Sequence, residues 1–259
     1  MSGRVITSLA NDTVKTVRGL HLRKAREESG LFLAEGLKIV TEAVELGQNP
    51  AILMHSARAA GHPMLRRAAA VARETVEVTE AILAKISRRE NPQMVLGVFE
   101  QRFTDLAACD VARNGLLLGL EAVRDPGNLG TIIRTADAAG CAGVILIGDC
   151  CDPYSVEAVR ATMGSIFAVP IAKASVARFL AWRAAWPGSV IGTLLTATQD
   201  FRRASYPRPS LILLGNEQAG LTPELAAACD ATVKIPMRGR ADSLNLAVAA
   251  GVMIYAALD

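Results

Sequence analysis

The 259 residues suffice for one large domain or two ordinary ones, and 51% apolar against 20% charged residues gives ample material for a buried core. With 4% aromatic residues and a net charge of +3, the composition excludes a disordered chain, a stacking-rich aromatic surface and a global positive field. Charge is also evenly spread, 15 Lys/Arg against 13 Asp/Glu in residues 1–110 and 13 against 12 beyond, so any nucleic-acid contact must come from local patches.

Residues 11–29 read as a helix. Asn11 or Asp12 caps it, and Val14, Val17, Leu20 and Leu22 supply apolar positions. Its other face carries Lys15, Arg18, Arg23, Lys24 and Arg26, a pattern that serves equally as a solvated helix face or as a contact for an RNA backbone. A strand over 31–35, an amphipathic helix over 36–46 and strands over 51–56, 75–79 and 94–100 follow, with helical stretches between them. This alternation predicts an α/β layer architecture. The first unit ends in a weakly patterned stretch over 103–114, which places one domain at 1–105 and a second at 113–259.

The second unit opens with a buried-type strand over 115–123. A polar, glycine-rich turn leads into a helix over 131–139 and a strand over 143–148. A helix near 155–163, a strand over 167–172 and a helix over 174–182 come next. Strands over 189–196, 211–215 and 232–236 follow, with a helix near 223–228 and a long apolar helix over 243–257. Five or six near-continuous apolar strands interleaved with helices predict a parallel sheet covered on both faces.

The five cysteines, Cys109, Cys141, Cys150, Cys151 and Cys229, form no C-x-x-C pair, and an odd count fits a reducing compartment. The opening MSGRVITSLANDTVK carries no apolar run of signal-peptide type, and no apolar stretch reaches membrane-spanning length. A soluble, cytoplasmic protein is the expectation.

Three segments place glycines and polar residues where a strand ends, which is where open α/β sheets bind ligands. In the first, Asp125-Pro126-Gly127-Asn128 is turn chemistry, Gly130 permits close backbone approach, and Arg134 falls one turn into the next helix. In the second, an apolar strand runs into Gly215-Asn216-Glu217, then Gly220 and a Pro-started helix capped by Thr222. In the third, a loop after Ile235-Pro236-Met237 leads to Ser243-Leu244-Asn245 at a helix start. Ser243 has an ordinary N-cap role open to it, whereas the Asn245 amide needs a partner.

N-L-G-x-x-x-R, L-G-N-E-x-x-G-L and I-P-M-x-G-x-x-x-S-L-N, in this order near the C-terminus, resemble the three motifs of the SpoU/TrmH methyltransferases. The match spans roughly residues 115–259, and G-L-F-L-A-E-G at 30–36 carries a weaker likeness to the substrate-binding domain that precedes this catalytic domain. The resemblance implies a C-terminal parallel sheet with a deep trefoil knot (the SPOUT fold), preceded by a smaller, L30e-like α/β domain that selects RNA. It implies S-adenosyl-L-methionine (AdoMet) bound in the knot near Leu194, Gly215, Ile235, Met237 and Leu244. A homodimer with active sites completed near the subunit interface is implied as well.

The implied reaction is attack of an RNA ribose 2'-hydroxyl on the AdoMet methyl group, with no metal. The resemblance puts Arg134 at its centre, either helping to remove the hydroxyl proton or, since a guanidinium is almost never deprotonated, as a phosphate and charge anchor. Asn128, Ser243 and Asn245 orient ribose and arginine, and Glu217 fixes one of these donors or the first loop. An rRNA target is favoured; a tRNA target, a non-catalytic RNA-binding member and a base-modifying relative of the same fold are the alternatives.

Overall fold

The computed structural model describes residues 4–109 and 115–258. Residues 110–114, which belong to the stretch expected to hold the domain boundary, lie outside the described residues. Two compact units emerge: residues 1–101 with 152–167, and residues 102–151 with 168–259.

The first unit is built on a five-stranded sheet in the order β1-β4-β3-β5-β2. Its strands are β1 (Arg4–Ile6), β2 (Leu31–Glu35), β3 (Ile52–His55), β4 (Glu74–Val78) and β5 (Val95–Glu100). β5 runs antiparallel to β2 and β3, and the other pairings are parallel. The short edge strand β1 has no counterpart in the sequence reading, since three residues are too few for a period. Helices α1 (Asp12–Gly19), α2 (Arg23–Ser29), α3 (Leu37–Glu45), α4 (Pro63–Val71), α5 (Glu80–Ser87) and α7 (Val156–Thr162) complete the unit.

Strand alternation sends side chains to opposite faces. Leu33, Met54, Val76, Val78, Leu96 and Val98 pack with Val14 and Val17 of α1, Ile82, Leu83 and Ile86 of α5, and Val156 of α7. From the opposite register, Phe32 meets Phe99 and Tyr154 with ring centroids 6.0 and 4.6 Å apart, and Phe99 meets Phe167 at 4.8 Å. Residues 152–167 thus follow a second-unit strand in sequence but supply Tyr154, Val156 and Phe167 to this core.

The single helix expected over 11–29 is two helices, α1 and α2, broken at Leu20–Leu22. Leu20 is buried while Leu22 is exposed, so one continuous apolar stripe does not run through both. The break frees the Leu20 carbonyl, and the Arg26 guanidinium donates to it at 2.7 Å. Arg26 Nε donates at 2.8 Å to Asp152, and the two side chains are only 4% and 10% exposed.

The second unit holds a seven-stranded sheet, all parallel, in the order β10-β12-β9-β11-β6-β7-β8. Its strands are β6 (Leu116–Glu121), β7 (Gly143–Ile147), β8 (Ile171–Ala174), β9 (Ser189–Thr193), β10 (Gln199–Asp200), β11 (Ser210–Leu214) and β12 (Ala231–Lys234). Its helices are α6 (Pro126–Ala138), α8 (Val176–Ala185), α9 (Pro223–Ala227) and α10 (Leu246–Ala256). The central strands β6, β7 and β11 are buried along their whole length, as expected of a parallel sheet covered on both faces. Phe179 of α8 and Leu225 of α9 pack with Leu117, Ile145, Ile147, Leu211 and Leu213. α6 and α10 pack against each other, and α10 against β11. Successive strands run outward from β6 one way as β7 and β8, and the chain resumes on β6's other side with β9 and β11, so the direction of winding reverses between β6 and β11.

Three local expectations change. α6 begins at Pro126, so the supposed glycine-rich turn is its first turns: Asp125 is the N-cap, accepting from Asn128 N–H at 2.6 Å, and Pro126 takes the N1 position. Arg134 is therefore the ninth helical residue, not one turn in. The strand expected over 167–172 is β8 at Ile171–Ala174, because residues 165–167 form a short 3-10 turn and Pro170 precedes the pairing. Among the described residues, no helix is long and apolar enough to cross a membrane.

Removing one partner of a buried ion pair strands the other charge, whereas replacing both with apolar residues does not. Asp152→Ala is expected to cost roughly 3 kcal/mol in denaturant unfolding, and the double change Arg26→Met/Asp152→Leu to recover most of it. Equal losses for the single and double variants would show that the pair contributes only through packing.

Candidate active site

The loops after β6, β9, β11 and β12 all open at the carboxyl edge of the parallel sheet, where the winding reverses and ligands bind in open α/β sheets. The loop after β11 is set by close packing. A Cβ on Gly215 would stand 2.0 Å from the Gly220 carbonyl carbon and 2.1 Å from Leu221 N, so no side chain fits there. The turn closes through Asn216 N–H to Gly220 O at 3.0 Å and Gly220 N–H to Asn216 O at 2.9 Å, with Gly220 at φ +70°. Asn216 Oδ1 accepts from Gln218 and Ala219 N–H at 2.9 and 3.2 Å, and its amide donates to the Ala122 carbonyl at 2.9 Å. The turn is thereby tied to the end of β6.

Glu217 follows and collects donors. Its carboxylate accepts from Arg124 N–H, Asp125 N–H, Asn128 Nδ2 and Asn216 Nδ2, each at 3.4 Å. Asn128 Oδ1 in turn accepts from Asn245 Nδ2 at 2.9 Å. Asn245 is the N-cap of α10, its Oδ1 accepting from Ala247 and Val248 N–H at 2.9 and 3.3 Å. This corrects the expected start of the last helix: α10 begins at Leu246, three residues later than expected, and its cap is Asn245, not Ser243. The Asn245 amide that needed a partner has one on each side.

Of the five expected catalytic residues, the structure joins Asn128, Glu217 and Asn245 into one network. Ser243 lies nearby on a cavity wall, exposed, its hydroxyl donating to Asp242 at 3.3 Å. Arg134 stands apart. Its side chain is exposed and makes no hydrogen bond or ion pair among the described residues. Six residues beyond Asn128, it lies about 9 Å further along the α6 axis and about 120° around it.

Leu194, Gly215, Ile235, Met237 and Leu244, the five expected cofactor positions, all line one cavity of about 330 Å3. Its wall also includes Leu214, Leu221 and Leu246 as apolar surface, and Thr193, Thr196, Asn216, Glu217 and Gln218 as polar groups. Thr193 Oγ1 is buried without a hydrogen-bond partner in the described structure. An orphaned hydroxyl on the wall of a largely apolar cavity fits an amphipathic ligand that brings its own polar atoms. Sequence reading missed Thr193, Thr196 and the Asn216 tether; the tether was within reach, since an asparagine after a strand-ending glycine is a turn-forming residue.

The basic residues of 15–26 do not form one free face. Lys15 pairs with Asp12 at 3.0 Å, Arg23 with Glu27 at 2.7 Å and Lys24 with Glu28 at 3.8 Å. Arg26, 3% exposed and paired with Asp152, is unavailable for an external contact. Arg18 is exposed and makes no ion pair among the described residues.

A parallel α/β sheet, an amphipathic cavity at its carboxyl edge and an amide–carboxylate cluster on the rim define a small-molecule-dependent α/β enzyme class. Residues 115–255 match the model of the SpoU rRNA methylase family and residues 11–97 that of the MRM3-like substrate binding domain. The chain belongs to the SpoU rRNA methylase family. An AdoMet-bound rRNA methyltransferase structure from Sinorhizobium meliloti is 46% identical with a TM-score of 0.92, covering 98% of this chain and 97% of that one. The 23S rRNA (guanosine(2553)-2'-O)-methyltransferase of Bacillus subtilis is 31% identical over 96% of this chain and 97% of its own length. The 23S rRNA (uridine(2479)-2'-O)-methyltransferase of Streptomyces viridochromogenes is 32% identical over 91% and 85%.

Because the Gly215 site has no room, Gly215→Ala should displace the turn and cost about 3 kcal/mol. Gly220→Ala, which meets open space but a left-handed φ, should cost about 1 kcal/mol. Chemical denaturation ranks the two, and only Gly215→Ala should also abolish the rise in Tm that added AdoMet produces.

Proposed function

We propose that the protein transfers a methyl group from AdoMet to a ribose 2'-hydroxyl of RNA, with ribosomal RNA as the substrate. One observation carries this most directly: Glu217 lines the cavity and, at 3.4 Å, also accepts from Asn128, so ligand pocket and polar cluster share a wall. Two of the relatives that span nearly the whole chain are named for this reaction on 23S rRNA.

Leu194, Gly215, Ile235, Met237 and Leu244 would hold the cofactor, with Thr193 Oγ1 as a further hydrogen-bonding group. AdoMet, when bound, supplies a methyl group on a sulfonium centre, a strong electrophile with a good leaving group. The ribose hydroxyl is a weak nucleophile at neutral pH, so the protein must position it and stabilise the charge it develops. Asn128 and Asn245 are held by each other and by Glu217, which makes them preorganised orienting groups. Glu217 faces four N–H donors and acts as their organiser. Ser243, with an exposed hydroxyl on the cavity wall, is placed to meet the ribose. Arg134 binds a phosphate and developing negative charge through its fixed fork of donors.

The working form is a cytoplasmic homodimer whose active sites are completed across the interface. Two observations support this. Arg134 lies outside the cluster of its own chain, and α10 leaves Val248 and Tyr255 about half exposed, 53% and 52%, on a helix packed against α6. The C-terminal segment threads as the deep trefoil knot of the SPOUT fold, a reading supported by Ile235, Met237, Ser243, Leu244 and Leu246 lining the same cavity as Leu194 and Gly215. The first unit selects the RNA.

Arg134→Ala should lower methyl transfer from radiolabelled AdoMet by at least about 100-fold while AdoMet binding survives. Leu194→Trp, which fills the cavity, should abolish both. Refolding the two inactive variants together should restore activity, because a mixed dimer then holds one intact site built from both chains. Turnover by Arg134→Ala near that of the wild type would defeat the assignment. An inactive mixture of verified mixed dimers would place Arg134 in its own chain's site.

A further inference from the structure

The first unit holds a cavity of its own, of about 650 Å3, with four cationic side chains on its wall: Lys15 and Arg18 of α1, Lys85 of α5, and Arg88 just beyond it. Lys15 is paired with Asp12, but Arg18, Lys85 and Arg88 are exposed and have no ion-pair partner among the described residues. Like charges gathered without a counter-charge repel one another, a cost that a negatively charged partner removes. Arg88 caps α5 in the left-handed region, φ 56° and ψ 38°, where glycine would be relaxed and arginine is strained. The groove is held in shape from within. His21, between α1 and α2, places Nε2 2.6 Å from the Ile86 carbonyl, and α5 packs on α1.

We propose that this groove, and not the outer face of α2, seats the phosphate backbone of the RNA substrate, an inference that rests on the RNA methyltransferase reading above. The α2 cations Arg23 and Lys24 are already paired one helical turn along with Glu27 and Glu28. The groove's three free cations come from two helices and line one concave wall. That arrangement matches several phosphates on a strand, and each contact releases counterions.

The test uses the full-length protein and an in vitro transcript of large-subunit ribosomal RNA. Wild type is first shown to bind AdoMet by calorimetry and to methylate the transcript. The variants are Arg18→Gln/Lys85→Gln/Arg88→Gly in the groove and Arg23→Gln/Lys24→Gln on α2. The groove variant is expected to reduce the slope of log affinity against log salt by about 2 to 3. Its KM for RNA should rise roughly tenfold or more at physiological salt, with kcat and AdoMet affinity retained. Arg88→Gly alone should leave thermal stability unchanged or raised, which separates loss of charge from loss of fold. The α2 variant should change the slope by less than about one. An unchanged slope in the groove variant, with or without a fall in the α2 variant, overturns the proposal while leaving the methyltransferase reading intact. A wild type that binds AdoMet but neither retains nor methylates the transcript overturns the RNA reading itself, and the groove's role with it.

Discussion

Where β11 ends, the chain folds back so tightly that Gly220 and Leu221 backbone atoms occupy the space a Cβ of Gly215 would need. The turn that results fixes Asn216, which grips the Ala122 carbonyl, and Glu217, which gathers the first residues of α6. Asn128, held by Glu217, reaches Asn245 at the head of α10, 117 residues further along the chain. One absent side chain therefore sets the register of three loops that have no sequence proximity. The same loop walls the cavity, so the shape of that cavity and the alignment of the polar cluster follow from a single packing constraint. Such coupling is the preorganisation that the orienting role proposed for Asn128 and Asn245 requires, since these groups are already fixed by one another.

Much of this was legible in the sequence because the parallel sheet writes itself as uninterrupted apolar runs. β6, β7, β9 and β11 fall within a few residues of the stretches 115–123, 143–148, 189–196 and 211–215. What stayed hidden depends on partners remote in sequence. β1 and β10 are too short for a period and exist through pairing with β4 and β12. The break between α1 and α2 is held by Arg26, whose partner Asp152 lies 126 residues away. The start of α6 was misplaced for another reason: Asp-Pro-Gly-Asn serves a turn and a helix N-terminus equally well locally, and the Asp125 cap with Pro126 at N1 decides it. The expected cofactor positions come from motif likeness, and the structure gathers these residues around one cavity; the orphaned Thr193 hydroxyl beside them has no sequence signal at all.

Arg134 is the one expected catalytic residue that neither joins the polar cluster nor lines the cavity. Unlike the amides of Asn128 and Asn245, its guanidinium is not held by neighbours among the described residues. It is instead exposed, on the helix that packs with α10, whose own outer face keeps Val248 and Tyr255 in solvent. The proposed homodimer accounts for this division, with the polar groups preassembled in one chain and a cation left for a second subunit to meet. Burial of that apolar surface would then order the arginine in the same step.

The distribution of cations carries a related lesson about charge. The helical segment 12–29 looks basic when its residues are read as a row, yet i,i+3 and i,i+4 acids neutralise Lys15, Arg23 and Lys24, and burial removes Arg26. Pairs of this kind contribute a few tenths of a kcal/mol to their own helix and leave little field for a ligand. Among the described residues, three cations without an ion pair meet where two helices pack, with Arg18 from one and Lys85 and Arg88 from the other, 67 to 70 positions apart in a chain whose net charge is only +3. A weakly charged protein can thus present a concentrated anion-binding groove, since the field a phosphate meets depends on the few unpaired cations within a Debye length of it and hardly at all on the total.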